Sequence, residues 1–545
     1  TLDSTAPTVT LSDTDDDNLL AASDTVTITA SFNEAMTSTP TISISGTSIS
    51  GQRMTKISGG ASGTGSATQL GGLIIGDAKD DSFGTVLSIS SDGTIVAASS
   101  YQNDGNGTNS GQVRVYRYNS ATSSYTQLGE DIYGSAGDFA ANTSLSSDGT
   151  RLAIGAYGND GTSGNSNDNR GTVRIYDFDG SDWVQVGDNI DGVATGDTNG
   201  TSVSLSSDGT ILAMGAPTNN AGGNSAGHVR VFKYQVISGT ATWTQLGQDI
   251  EGKAAEDWLG VSVSLSSDGS KLAIGAYGGI SSPNIGYISI YQYNTGTSSW
   301  TQLGSDISGD AATDLFGSSV SLSSDGSIVA SGGYFRSGSI TGYVRVYRYN
   351  TGTSSWTQLG SDLVGEDIGE RFGREVSLSS DGSILAVSAP THSVTGAYNN
   401  YGGKVSVYKY NSGTVSWTQI GGDIEDNSYV QLGNAIALSS DGSRLFISDD
   451  YYQLGYGAND DNNNDGIADR LDHTGRGSFG LYSIPVGDTY QYLWDVDSGG
   501  APSDGTYRAT VAGADKAGNA YSGTDSITFT LDTTAPTVTL TDTDS

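Results

Sequence analysis

Apolar and polar residues alternate along most of this chain, and the alternation breaks at short Asp-Gly turns. In "GVSVSLSSDGSKLAIGAYGG" (260–279) two such runs flank Ser-Ser-Asp-Gly, the pattern of two half-buried strands joined by a hairpin. "GYISIYQYN" (286–294) follows, rich in the β-branched and aromatic residues that suit a pleated surface. "WTQLG" (300–304) supplies a fourth short strand. Sustained helical periodicity is missing throughout.

The unit repeats. Ser-Ser-Asp-Gly recurs with its aspartate at Asp92, Asp148, Asp208, Asp268, Asp325, Asp381 and Asp441, at spacings of 56, 60, 60, 57, 56 and 60 residues. Four antiparallel strands repeated seven times predict an all-β fold, a seven-bladed β-propeller over 59–487. "SATQLGG" (66–72) matches the fourth strand of the other units, and the seventh unit stops after its third strand, "GSFGLYSIP" (477–485). The N-terminal strand is therefore expected to complete the last blade and close the ring, which leaves no exposed sheet edge at the seam.

The two ends read differently. "DTVTITASFNEAMTSTPTISISG" (24–46), "TYQYLWDVD" (489–497) and "DSITFTLD" (525–532) are strands, but neither end alone is long enough for a sandwich. Residues 1–58 with 488–534 together approach the roughly 100 residues of an Ig-like sandwich, so a split domain with the propeller inserted in a loop is expected. "TLDTTAPTVTLTDTD" (530–544) repeats "TLDSTAPTVTLSDTD" (1–15), so 535–545 reads as the start of the next copy and the chain as an excerpt of a tandem array.

Charge narrows the partners. With 24 Lys+Arg against 60 Asp+Glu the formal charge is −36, which disfavours nucleic-acid backbones and anionic membranes. No apolar run reaches the roughly 20 residues that span a bilayer, so membrane insertion is not expected. Cysteine is absent, which excludes disulfides, thiolate metal sites and a cysteine nucleophile, and the three histidines, His228, His392 and His473, lie far apart in sequence, which argues against a histidine-built zinc or triad site.

The blades resemble the FG-GAP repeats of the integrin alpha-chain propeller. Phe83-Gly84, Phe316-Gly317 and Phe372-Gly373 precede first strands; Gly215-Ala216-Pro217 and, more loosely, Gly155-Ala156-Tyr157 and Gly275-Ala276-Tyr277 end second strands. One departure matters. Such blades often carry an Asp-x-Asp-x-Asp-Gly calcium loop where this chain has Ser-Ser-Asp-Gly, so its seven aspartates read as turn residues. The flanks resemble the bacterial Ig-like repeats of large RTX/Bap-type surface adhesins, on Phe32-Asn33-Glu34-Ala35-Met36, Asp515-Lys516-Ala517-Gly518-Asn519 and "TLDTTAPTVTL". That resemblance implies a secreted protein of the bacterial cell surface, adjoining further Ig-like domains of the same chain.

Calcium has one well-spaced candidate loop. In "DDNNNDGIADRLD" (460–472), Asp461, Asn463, Asp465, the Ile467 carbonyl, Asp469 and Asp472 fall at alternating and closing positions, with Gly466 at the sharp turn. Hard oxygen donors spaced this way wrap calcium. Asp13, Asp15, Asp17 and Asp532 form a second candidate set at the Ig-like junction, because the resemblance implies calcium-stiffened junctions there. Long Asn/Asp/Gly/Tyr loops after second strands mark one propeller face for binding a glycan or protein, with Tyr101, Tyr157, Tyr277 and Tyr334 as its candidate contacts or, alternatively, as rings packed between blades. Phe83, Trp258, Phe316 and Phe372 are expected in blade cores. "GNSAG" (223–227) beside His228 fits G-x-S-x-G, yet it lies in a Gly/Asn loop with no strand–turn–helix elbow, and no enzyme constellation emerges. The expected function is a calcium-stabilised adhesive module; the alternative is a structural spacer or assembly unit without a soluble ligand.

Overall fold

A computed structural model describes residues 67–484 apart from 79, 162–167, 279–284, 336–340, 394–401, 427–429 and 450–475, together with the backbone of the strands at both ends. The described residues form strands and turns, with no helix. The chain divides into two compact units, Ala67–Ile484 and the paired ends Thr1–Ser66 with Pro485–Ser545.

The first unit is a seven-bladed β-propeller. A representative blade, the fourth, pairs Ser262–Leu265, Lys271–Ala276, Tyr287–Asn294 and Ser299–Gln302 antiparallel in that order, and Ile307–Ser308 folds back onto the start of the third strand. The seventh blade draws Ile436–Leu438, Arg444–Asp449 and Ser478–Ser483 from one end of the propeller and its outer strand, Thr68–Ile75, from the other. The closure read from "SATQLGG" is thus present in the strand pairing.

Three repeated devices hold blade to blade. Around the channel the second serine of each Ser-Ser-Asp-Gly turn donates its amide to the carbonyl of the equivalent serine in the next blade. The series Ser91, Ser147, Ser207, Ser267, Ser324, Ser380, Ser440 and back to Ser91 makes a closed ring of seven bonds at 2.8–2.9 Å. These serines and leucines such as Leu205 and Leu378 line an opening of about 170 Å3. Midway out, Gly155, Gly215, Gly275 and Gly332 each meet the backbone of the next blade's first-strand glycine. A Cβ on any of them would lie 1.9–2.1 Å from a carbonyl oxygen of Gly200, Gly260, Gly317 or Gly373. Glycine at both motif positions therefore serves one contact. At the rim, the indole Nε1 of Trp183, Trp243, Trp300, Trp356 and Trp417 donates to a carbonyl in the preceding blade at 2.8–3.2 Å. In the first blade Tyr125 takes this role, donating to Leu70 of the N-terminal strand at 3.4 Å.

The seven turn aspartates are structural. In the third blade Asp208 accepts from the Ser206 hydroxyl at 2.6 Å and from the Thr210 amide at 2.9 Å, while Ser206 Oγ accepts the Ile211 amide at 2.9 Å. The other six turns repeat this pattern. At Asp148, Asp208, Asp268 and Asp325 burial pushes the pKa up, but the serine, threonine and backbone donors together outweigh it and hold the carboxyl below its ordinary value. A carboxylate depressed in the folded state contributes stability that is complete above its unfolded pKa and is lost as pH falls through the folded one. Thermal unfolding monitored by circular dichroism should therefore be insensitive to pH down to about 5 and fall steeply below about 4. Asp208→Asn should blunt that fall.

The paired ends form two sheets of their own, and each sheet mixes strands from both ends. One orders Val9–Ser12, Thr25–Phe32, Thr489–Asp495 and Thr55–Ser58. The other orders Leu19–Leu20, Ser526–Leu531, Gly505–Ala512, Thr41–Ile44 and Gln52–Arg53.

Candidate functional site

Strand direction separates the propeller faces. The Ser-Ser-Asp-Gly turns and the turns between third and fourth strands lie on one face, such as 266–269 and 295–298 of the fourth blade. The loops leaving second strands and those leading into first strands lie on the other.

The lead-in loops carry a feature the sequence reading missed. Three residues before the first-strand glycine, or its Ala141 counterpart in the second blade, stands a buried acid in six blades: Asp81, Asp138, Asp197, Asp257, Asp314 and Glu370. The seventh has Val430. The residue after each takes the left-handed conformation, from Ser82 and Phe139 to Arg371 and Gln431. Each acid gathers its own loop: Asp257 accepts the Lys253 and Ala254 amides at 2.9 and 2.8 Å, and Asp314 those of Asp310 and Ala311 at 3.0 and 2.9 Å. It also ties down a neighbouring element. Asn103, Asn159 and Asn219, at the head of the long loops, donate to Asp81, Asp138 and Asp197 at 2.7–2.9 Å. Tyr287 and Tyr343 donate to Asp257 and Asp314 at 2.9 and 3.3 Å. Burial first, and the adjacent carboxylate second, raise the pKa of both phenols, so they remain donors. The signal was available as an acid at fixed distance from Gly84, Gly200, Gly260, Gly317 and Gly373, but the residues beside it vary from blade to blade.

All four candidate tyrosines lie on this face, half-buried. They fall into two groups. Tyr157 stacks on Phe139 with ring centroids 5.4 Å apart, and Tyr101 packs against the same Phe139 ring at 6.5 Å. Tyr277 packs on Trp258 at 5.6 Å, while Tyr334 packs on Phe335 at 5.5 Å with the Arg374 guanidinium 5.6 Å from its ring centre. Burial raises the pKa of Tyr157 and Tyr277. Trp258 corrects an expectation. Phe83, Phe316 and Phe372 are core residues at 2% exposure or less, whereas Trp258 is only partly buried and shares the face with Tyr277. Trp258 stands directly after the acid, with φ 57°, not directly before the glycine; Leu259 fills the core position in its blade.

The sixth blade departs from the pattern. Glu370 replaces aspartate and His392 replaces asparagine, with Nδ1 of the ring 2.9 Å from Glu370 Oε2 and 3.5 Å from Asp367 Oδ2. The Lys404 ammonium lies 3.4 Å from Glu370, and Glu425 faces the other ring nitrogen at 3.7 Å. Burial pushes the Glu370 pKa up, but His392 and Lys404 outweigh it and hold the carboxyl ionised.

The calcium-loop residues Asp461, Asn463, Asp465, Ile467, Asp469 and Asp472, and the junction set Asp13, Asp15, Asp17 and Asp532, lie outside the described residues. At "GNSAG" the Ser225 amide donates to Asn220 Oδ1, and both ring nitrogens of buried His228 are without a hydrogen bond, so no Ser–His pair forms.

No protein-family model and no curated protein matches the chain. Among solved structures it is similar to a Bacteroides uniformis protein described as a "putative 6-phosphogluconolactonase", at 16% identity and TM-score 0.44, over 63% of this chain and 86% of that one. It is also similar to the propeller of Dos1, at 13% identity and TM-score 0.41, over 77% and 95%. Likeness at this level carries no functional inference; the propeller assignment rests on the strand pairing and the closed serine ring.

Proposed function

We propose that this chain is an extracellular, calcium-stabilised binding module of a large repetitive bacterial surface protein. In this reading the blades are FG-GAP-like, the paired ends are one Ig-like domain of a tandem array, and the long-loop face meets a glycan or protein of another surface. The observation that carries the reading is the contrast between faces. One is closed by seven near-identical turns whose polar groups are spent on one another, while the other presents variable loops anchored on buried acids and bears the Trp258–Tyr277 and Tyr334–Arg374 aromatic groups. Rigid anchoring lowers the ordering cost of binding, and amphipathic rings suit sugar faces or protein hot spots. Calcium would be held by the hard oxygen donors of the 461–472 loop, which precedes the last propeller strand in sequence.

The spacer reading has its own support, since the Tyr157–Phe139 stack uses ring surface that a ligand would otherwise take. A glycan and cell-surface binding panel separates the two. In calcium the parent should bind at least one member, Trp258→Ala with Tyr277→Ala should weaken that binding at least tenfold, and Asp465→Ala should remove one calcium by calorimetry. Ordered self-association with no panel binding favours the spacer, and an unchanged calcium count removes the loop assignment.

A further inference from the structure

We propose that the sixth blade holds a second class of metal site, a zinc-type divalent cation bound by Asp367, Glu370 and His392. The inference starts from what changed in one blade of a repeat. His392 occupies the place of Asn103, Asn159 and Asn219. Its amide donates to the Ala389 carbonyl at 3.0 Å and its carbonyl accepts from Gly403 at 3.1 Å, as Asn219 does with Ala216 at 3.1 Å and Gly227 at 3.0 Å. The backbone task is the same, so histidine is not required for it. Asparagine meeting aspartate makes one neutral–charged hydrogen bond. Histidine meeting glutamate, with Asp367 added, puts one imidazole nitrogen and two carboxylates within 4.8 Å of one another.

The spacing fits a metal as well as a proton. Donors bound at about 2.0–2.2 Å and separated by near-right or tetrahedral angles stand about 2.9–3.5 Å apart. The separations from His392 Nδ1 are 2.9 Å to Glu370 and 3.5 Å to Asp367. Glu425, 3.7 Å from Nε2 and beyond direct hydrogen-bond distance, lies on the side of the ring where a metal-bound imidazole commonly meets an outer carboxylate. Glu370 and His392 are buried and set by the fold, while Asp367 is 59% exposed and leaves an open side for entry and for a water ligand. Charge also fits. Asp367, Glu370 and Glu425 face His392, and Lys404 lies 3.3 Å from Glu366 and 3.4 Å from Glu370, so among the described residues the acids here outnumber the ammonium. The excess of carboxylates around one imidazole suits a dication. A nitrogen ligand with two carboxylates selects a borderline metal over calcium or magnesium, which prefer all-oxygen shells.

The blades supply the control. His392→Asn installs the residue that three blades already use, so the loop keeps its anchor while the metal loses its nitrogen ligand. Isothermal titration of zinc into the full chain, in saturating calcium, should show one more tight site in the parent than in His392→Asn or in Asp367→Asn. Zinc should raise the melting temperature of the parent and leave that of His392→Asn unchanged. Equal zinc stoichiometry and equal melting shifts in parent and variants would overturn the proposal and leave the cluster a proton-bridged loop anchor.

Discussion

Phe479→Ala should destabilise the propeller by about 3–5 kcal/mol, the cost of truncating a fully buried aromatic residue. Phe479 is 0% exposed and sits at the seam between the two ends of the propeller. Its ring centre lies 5.6 Å from Phe83, 5.8 Å from Phe446, 5.9 Å from Tyr116 and 6.1 Å from Tyr125. Its backbone pairs with Ile74 of the N-terminal strand. The alanine would leave a cavity among four rings drawn from two blades, at the one place where closure depends on residues some 400 positions apart. Equilibrium denaturation should show the lower midpoint, and a cost below about 1 kcal/mol would mean that the seam is not packed as described.

Asp314→Ala should cost a comparable amount, about 3–5 kcal/mol, for a different reason. The aspartate is 0% exposed and accepts from two backbone amides and the buried Tyr343 hydroxyl. Removing the acceptor leaves buried donors unpaired, each at about 1–3 kcal/mol before the loop relaxes. Because the same loop places Leu315 and Phe316 against the blade, the loss should also raise local amide exchange across 309–318. Asp314→Asn keeps the shape and one acceptor, so it should recover at least half of the lost stability. Equal losses for both substitutions would assign the effect to charge and not to loop anchoring.

The propeller was legible because its signals are local and repeated. A hairpin needs only the residues on either side of Ser-Ser-Asp-Gly, and seven copies fix the period. Closure was legible because Thr68-Gln69-Leu70-Gly71 copies a fourth strand. The anchoring acids were harder to see, since Asp138 is followed by Phe139, Asp257 by Trp258 and Glu370 by Arg371, and only the glycine farther on keeps the register. The inter-blade bonds of Trp183 to Trp417 were hidden for another reason: their acceptors lie 53–58 residues away, and nothing beside the tryptophan names them. Tyr157 could be read at its strand end as a ligand contact or as a packing ring, and its packing partner, Phe139, comes from the preceding lead-in loop. His392 and Glu370 are 22 residues apart, and each is ordinary alone.

The claim that the long-loop face is the binding face can be tested with one blade and one chemistry. The chain has no cysteine, so a single engineered thiol takes a polymer label cleanly. Ala254→Cys places the label on the long-loop face, four residues before Trp258, and Thr295→Cys places it on the opposite face; both positions are exposed. On the glycan and cell-surface panel, the label at 254 should abolish binding and the label at 295 should leave it at the parent level. Blockade by the label at 295 with binding preserved by the label at 254 would contradict the account, as would full binding with both.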